Sequence, residues 1–118
     1  MQTTYKGTNY ELTGAIQAFA EKKLNALTKF TTDTDHIYIE LGRETEAHHN
    51  GRIWRAELNL DKEGTRFRST ATEESLENAI DRAIGDMARE LRSAKTKRQG
   101  FIKRGGAAVK NMLRGFRG

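Results

Sequence analysis

Residues 73–98 carry apolar side chains at steps of three and four, which is the spacing of one face of an α-helix. The pattern predicts a single long amphipathic helix. Its apolar face is formed by Leu76, Ile80, Ala83, Ile84, Met87, Leu91 and Ala94. Thr72 is the predicted N-cap, and the two acidic residues that follow it suit the positive end of the helix dipole. A helix with one apolar stripe must bury that stripe against a second layer, and this requirement constrains the rest of the chain.

Three segments that alternate apolar and polar residues predict the strands of that second layer. They lie at residues 36–42, 52–60 and 65–72, and turn sequences at Asn50-Gly51 and at residues 61–64 separate them. The side chains expected to face inward are Ile37, Ile39, Leu41, Trp54, Ala56, Leu58, Leu60, Phe67, Ser69 and Ala71. Each strand then has one buried and one solvated face, which is typical of an antiparallel sheet that is covered on one side.

The first 29 residues predict a short strand followed by a second amphipathic helix. The strand ends at Gly7, and the helix runs from Thr13, its predicted N-cap, to about Lys29. The order of strand, helix, three strands and helix predicts an α+β fold, a two-layer sandwich in which both helices cover one face of a four-stranded sheet. The first helix would lead the chain to a parallel strand through a right-handed crossover.

The composition is that of one small domain with an extension. The chain has 118 residues, and we assign residues 1–98 to a single α+β domain and residues 99–118 to a basic, glycine-rich C-terminal tail. There is no cysteine, which excludes a disulfide framework, a thiol nucleophile and cysteine ligands for a metal. There is neither an apolar run of membrane length nor a signal-peptide pattern, so a cytoplasmic location is expected.

The charge is divided unevenly along the chain. Residues 1–90 hold twelve Lys and Arg against sixteen Asp and Glu, a net charge of −4. Residues 91–118 hold nine Lys and Arg and no acidic residue, a net charge of +9. A basic end on an acidic body indicates a polyanionic partner such as nucleic acid, or an anionic membrane surface.

Three arginines lie on the face of the long helix that is opposite its apolar stripe. Arg82, Arg89 and Arg92 are spaced by seven and three residues, so they form a row along that face. A row of guanidinium groups on a rigid helix can follow a phosphate backbone. The alternative is an ordinary solvated face, on which these arginines pair with nearby carboxylates.

The tail interleaves cations and apolar side chains between five glycines. The glycines predict a broken backbone, in which residues 107–114 form at most one or two helical turns. One interpretation is a flexible, solubilising extension. The other is a segment that becomes ordered on a polyanion, because basic residues beside Phe101 and Phe116 suit the phosphates and unstacked bases of RNA.

Two strings carry a resemblance to a known family. They are YKGTNYELTGAIQAFAEKKLNALTKF at residues 5–30 and TEESLENAIDRAIGDMARELRSAKTKR at residues 72–98, with the three alternating strands between them. In this order they resemble the short form of the ribosome hibernation factors, of the hibernation-promoting-factor and ribosome-associated-inhibitor type. The resemblance covers residues 1–98. The chain departs from the long members, which have a second, dimerising domain, and from short members with acidic tails.

The resemblance implies a β-α-β-β-β-α domain similar to double-stranded-RNA-binding folds. Such proteins bind the small ribosomal subunit in the channel for messenger and transfer RNA, near the decoding centre, and block translation in stationary phase or stress. The implied partners are the small subunit with its rRNA and the intact ribosome, and the protein is expected to be a monomer off the ribosome. No cofactor, small-molecule substrate or membrane partner is implied. The RNA-binding candidates are Lys22, Lys23, Lys29, Arg82, Arg89, Arg92, Lys95, Lys97 and Arg98, to which the tail adds Lys103 and Arg104.

Other functions stay open at this point. His48 and His49 lie in a polar loop with Glu44 and Glu46, but adjacent loop residues fit a shared tetrahedral metal site poorly. There is no phosphate-binding loop and no nucleophile motif, so an enzyme is not expected. The cationic tail also suits an anionic membrane surface. An RNA-binding module that acts outside the ribosome is a further alternative.

Overall fold

The computed structural model describes the backbone of residues 1–44 and 53–116, and the side chains of these residues as far as Arg98. Its elements are β1 (Gln2–Thr8), α1 (Gly14–Leu24), a 3-10 helix (Asn25–Phe30), β2 (His36–Arg43), β3 (Trp54–Lys62), β4 (Thr65–Glu73) and α2 (Leu76–Phe116). The predicted order of strand, helix, three strands and helix is confirmed.

The four strands form one sheet in the order β1-β2-β3-β4. β1 runs parallel to β2, whereas β2 and β3, and likewise β3 and β4, are antiparallel. A parallel neighbour requires a crossover connection, and α1 with the 3-10 helix supplies it. α2 packs on β3 and β4, and α1 packs against α2. The predicted two-layer α+β sandwich is confirmed.

The core lies between the inner face of the sheet and the two helices. Leu58 shows the register, because it is buried and pairs with Ile39 of β2 and with Ser69 of β4. Of the side chains predicted to face inward, the buried ones are Ile37, Ile39, Leu41, Ala56, Leu58, Leu60, Ser69 and Ala71, while Trp54 and Phe67 are half-buried against the core. The Ser69 hydroxyl donates a hydrogen bond of 2.7 Å to the carbonyl of Ala83, which ties β4 to α2.

The α-helical part of the first helix is shorter than predicted. Thr13 is its N-cap, as predicted, since the threonine side chain accepts a hydrogen bond from the backbone N–H of Ile16. The α-helix ends at Leu24, and the 3-10 helix follows directly. Leu24, Leu27 and Phe30 recur at steps of three, which places them on one side of a helix with three residues per turn. The tighter winding therefore turns Leu27 into the core and leaves Phe30 half-buried beside it.

The long helix begins later than predicted, and Thr72 is not its N-cap. Thr72 pairs with Arg55 across the two antiparallel strands, because the alternating pattern of β4 continues as far as Glu73. The Ser75 hydroxyl instead accepts a hydrogen bond of 3.1 Å from the backbone N–H of Asn78. The last residues of β4 form backbone hydrogen bonds with β3, and these bonds would be lost if the helix began at Glu73.

The backbone of α2 continues to Phe116, so the predicted end of the helix near Arg98 is wrong. An interior glycine costs about 1 kcal/mol relative to alanine. However, extending an existing helix adds a hydrogen bond per residue without a new nucleation step. The segment after Arg98 has no proline, and nine of its 20 residues are Ala, Lys, Arg, Leu or Met, which favour helix. Propagation therefore outweighs its scattered glycines.

We expect a chain that ends at Arg98 to fold. The described buried core lies between Ile16 and Leu91, so deletion of residues 99–118 removes none of it. Thermal unfolding followed by circular dichroism should show one cooperative transition, with a free energy of unfolding within about 0.5 kcal/mol of the full chain. Loss of the cooperative transition in the shorter chain would show that the tail belongs to the core.

Candidate RNA-binding surface

One of the two candidate cations of α1, Lys23, lies where this helix packs against α2. The Nζ atom of Lys23 is 3.2 Å from Oδ1 of Asp81 on α2, and 5.5 Å from the centre of the Phe19 ring. Lys22, beside it, is exposed and makes no ion pair with the described residues. Lys23 is therefore held by a neighbour, whereas Lys22 is available to an anion from outside the protein.

The predicted row of arginines is exposed along α2, and two of the three are paired. Arg82 Nη1 lies 3.0 Å from the Glu73 carboxylate, and Arg89 pairs with Asp86 one turn before it. Arg92 makes no ion pair with a described residue. The alternative interpretation, a solvated face with paired charges, thus holds for part of the row. Such exposed pairs contribute only about 0–1 kcal/mol, so a phosphate can replace either carboxylate at small cost.

A second group of cations surrounds an open groove of about 430 Å³ between the 3-10 helix, the β3–β4 turn and α2. We call it the basic groove. The cations that line it are Lys29, Lys62, Lys95 and Arg98, and its apolar wall includes Phe30, Phe67, Leu91 and Ala94. Among the described lining residues, Glu63 is the one acid. Lys29, Lys95 and Arg98, three candidates that the sequence placed on two different helices, therefore converge on one site.

Lys62 is a member of the basic groove that sequence reasoning did not select. It was assigned to a turn, but it ends β3 and reaches Oδ2 of Asp35 at 3.1 Å. Asp35 is buried and also accepts a hydrogen bond of 2.8 Å from the backbone N–H of Thr32. Burial opposes ionisation, but the Thr32 and Lys62 hydrogen bonds outweigh it and hold the pKa of Asp35 below its usual value. This pair anchors the segment between the 3-10 helix and β2, and with it one wall of the groove.

Three further candidates, Lys97, Lys103 and Arg104, belong neither to the arginine row nor to the basic groove. Lys97 is exposed on α2 and makes no ion pair with the residues that the structure describes. Lys103 and Arg104 belong to the part of α2 beyond the described side chains, so their role stays a prediction.

The outer face of the sheet is charged but internally neutralised. Arg66 donates two hydrogen bonds, of 2.6 and 2.9 Å, to the carboxylate of Asp61, and Arg68 pairs with Glu57. The hydrogen bonds from Arg66 hold the pKa of Asp61 below its usual value, so this carboxyl is ionised at neutral pH. Tyr38 stacks on the neighbouring histidine ring, with 4.3 Å between the ring centres. This face therefore offers an anion fewer unpaired cations than the helical side does.

The described residues give no support to a metal site or a membrane span. Within residues 1–44 and 53–98 no group of three His, Asp or Glu side chains could share a metal ion. Of the four residues of the metal hypothesis, Glu44 is described, whereas Glu46, His48 and His49 lie outside the described part of the chain. No helix among the described residues is both long enough and apolar enough to cross a bilayer.

A sheet covered on one side by helices, with unpaired cations on that helical side, defines a class of small α+β domain suited to contact with a polyanion. The family model of the Sigma 54 modulation protein / S30EA ribosomal protein matches residues 3–99. The chain belongs to this family, and its predicted membership of the ribosome hibernation factors is confirmed. No curated protein sequence matches it significantly.

Two solved structures share this fold. The N-terminal domain of Protein Y from Thermus thermophilus is 26% identical to this chain, with a TM-score of 0.67 over 79% of this chain and 98% of that domain. A ribosomal subunit interface protein from Coxiella burnetii has the same TM-score at 16% identity, over 81% of this chain and 99% of that protein. The second similarity concerns the fold alone.

Proposed function

We propose that this protein is a ribosome hibernation factor that binds the small ribosomal subunit in the channel for messenger and transfer RNA, near the decoding centre. It blocks translation there during stress or stationary phase. The observation that carries the proposal is the placement of the basic groove and the arginine row on the helical side of the domain, while the outer sheet face neutralises its own charges. Family membership supplies the ribosome as the partner.

Binding would depend mainly on phosphates. Exposed cations such as Lys22 and Arg92 have no described partner to give up, and the surface pairs of Arg82 and Arg89 are weak. Contacts to phosphates position a protein on RNA but carry no sequence information, so binding is expected to tolerate sequence changes and to weaken steeply with salt. Lys97 adds a further exposed cation, and Lys103 and Arg104 extend the proposed surface along α2.

The mechanism is steric and requires no chemistry by the protein. A folded domain that occupies the channel excludes transfer RNA, because the two ligands need the same space. The family is one of ribosome-associated factors rather than enzymes. The described residues accordingly act by binding, orienting the domain and excluding other ligands.

Competition with transfer RNA tests the proposed site. Small subunits would be loaded with messenger RNA and transfer RNA before the protein is added, and binding would be measured by filtration against empty subunits. We expect occupied subunits to bind the protein at least about tenfold more weakly, since one excludes the other. Equal binding to empty and occupied subunits would place the protein elsewhere on the ribosome and contradict the steric mechanism.

A further inference from the structure

The basic groove combines an aromatic wall with cations, and the proposed phosphate contacts do not use the wall. Phe30 is half-buried against the core and lines the groove with part of its ring. Two ammonium groups lie near this ring, Lys29 Nζ at 5.3 Å and Lys95 Nζ at 6.0 Å from its centre. The first belongs to the 3-10 helix and the second to α2, so an anion that entered between them would contact both elements.

The charges at the rim favour an anionic ligand. Arg98 of α2 faces the β3–β4 turn, where its Nη1 atom is 4.0 Å from the carboxylate of Glu63. The Nζ atom of Lys62 is also 4.0 Å from that carboxylate. Pairs this long between exposed groups contribute little, so neither cation is committed to Glu63. Glu63 has a φ of 51° and the following Gly64 a φ of 81°, which makes the β3–β4 connection a tight turn. This turn fixes one side of the groove opposite the long helix.

The groove has the size and the two-part chemistry that a nucleotide needs. Its volume of about 430 Å³ lies within the range of about 300–1,000 Å³ that is typical of small-ligand sites. A flat, apolar surface suits a base that has left its stack, and nearby ammonium and guanidinium groups suit its phosphate. A peptide would also find the apolar wall, but it has no general need for Lys29, Lys95 and Arg98, the three cations of the groove that are not paired with the buried Asp35.

Resting on the proposed function, we propose that the basic groove holds one unstacked nucleotide of single-stranded RNA, with its base against Phe30 and its phosphate among Lys29, Lys95 and Arg98. This contact differs from the phosphate contacts of the arginine row, because it needs a base and an unpaired strand. It would direct the domain to single-stranded RNA rather than to any surface of equal charge.

The test compares Phe30 variants on a labelled hexauridine RNA and on a matched chain of abasic riboses, by fluorescence anisotropy at low salt. Phe30→Leu keeps the apolar volume but removes the flat ring, whereas Phe30→Tyr keeps the ring. Phe19→Leu is the matched control, because Phe19 is also half-buried with a lysine over its ring but lies outside the groove. Circular dichroism and thermal unfolding establish that each variant is folded.

We expect Phe30→Leu to bind hexauridine at least about fivefold more weakly than the unaltered protein, and the Tyr variant and Phe19→Leu to bind within about twofold. The preference for hexauridine over abasic RNA should disappear in Phe30→Leu. Equal affinity of the folded Phe30→Leu variant and the unaltered protein for hexauridine would overturn the nucleotide site. If ribosome binding persists in that case, the proposed function survives; if the unaltered protein binds neither RNA nor ribosomes, both fail.

Discussion

Replacing Arg82, Arg89 and Arg92 together by alanine is expected to weaken binding to the small ribosomal subunit by about 100-fold at low salt. A charge-assisted contact to phosphate contributes about 1.5–3 kcal/mol, and exposure with ionic screening reduces this to about 1 kcal/mol each. Three lost contacts therefore remove about 3 kcal/mol, and each 1.4 kcal/mol corresponds to a factor of about ten. The fold should persist, because the three side chains are exposed and their surface pairs contribute about 0–1 kcal/mol each.

The salt dependence offers a second measure of the same arginine contacts. Each lost phosphate contact should lower the slope of log K against log salt by about 0.7–0.9, so the triple variant should lose about two to three units of slope. The control replaces Lys6, Arg66 and Arg68 by alanine, which removes the same charge from the outer strands. It should bind within about threefold of the unaltered protein, since only long-range attraction is lost. Unchanged binding of a folded arginine variant would contradict a role for the row.

Replacing Asp35 by alanine is expected to lower the free energy of unfolding by about 2–4 kcal/mol, a large fraction of the stability of a small domain. The side chain is 1% exposed, and its loss leaves the N–H of Thr32 and the Nζ atom of Lys62 without their partner. Urea unfolding at neutral pH would measure the change. Asp33→Ala, at an exposed position on the same connection, is the matched control and should stay within about 0.5 kcal/mol.

The pH dependence of the same Asp35 variant follows from the sign of its pKa shift. The pKa of Asp35 is lowered from its usual value of 3.8 in the folded protein. Its contribution to stability is therefore fully present above the unfolded pKa and is lost as pH falls through the folded pKa. The difference in free energy of unfolding between the unaltered protein and the Asp35→Ala variant should be constant near neutrality and shrink below about pH 4. A difference that stays constant into strong acid would contradict the ionic role of Asp35.

The order of the elements and the inner faces of the strands were predictable from the sequence, because periodicity reports directly which side of an element is buried. Ile39 and Leu58 lie where alternation places them. The 3-10 helix was missed because steps of three at Leu24, Leu27 and Phe30 also suit one face of an α-helix. The start of α2 was predicted too early because a threonine such as Thr72 suits both a helix N-cap and a position in a β-strand. Only its pairing with Arg55 on the neighbouring strand decides between the two.

The sequence indicated individual cations but not how they are grouped. Lys29 and Lys95 are far apart in the chain, and they meet at one ring only because α2 packs beside the 3-10 helix. Lys62 looked like an ordinary turn residue, since nothing near it in sequence reveals its bond to Asp35. Grouping of this kind depends on tertiary packing, which local patterns do not encode.

Sucrose-gradient sedimentation of the purified protein with intact ribosomes and separated subunits tests the ribosomal partner most directly. The account predicts co-migration with the small subunit and with intact ribosomes at close to one protein per particle at low salt, and release as salt increases. A new, faster peak in the same gradient would identify ribosome dimers. Folded protein that stays at the top of the gradient even at low salt would contradict the ribosome as the partner.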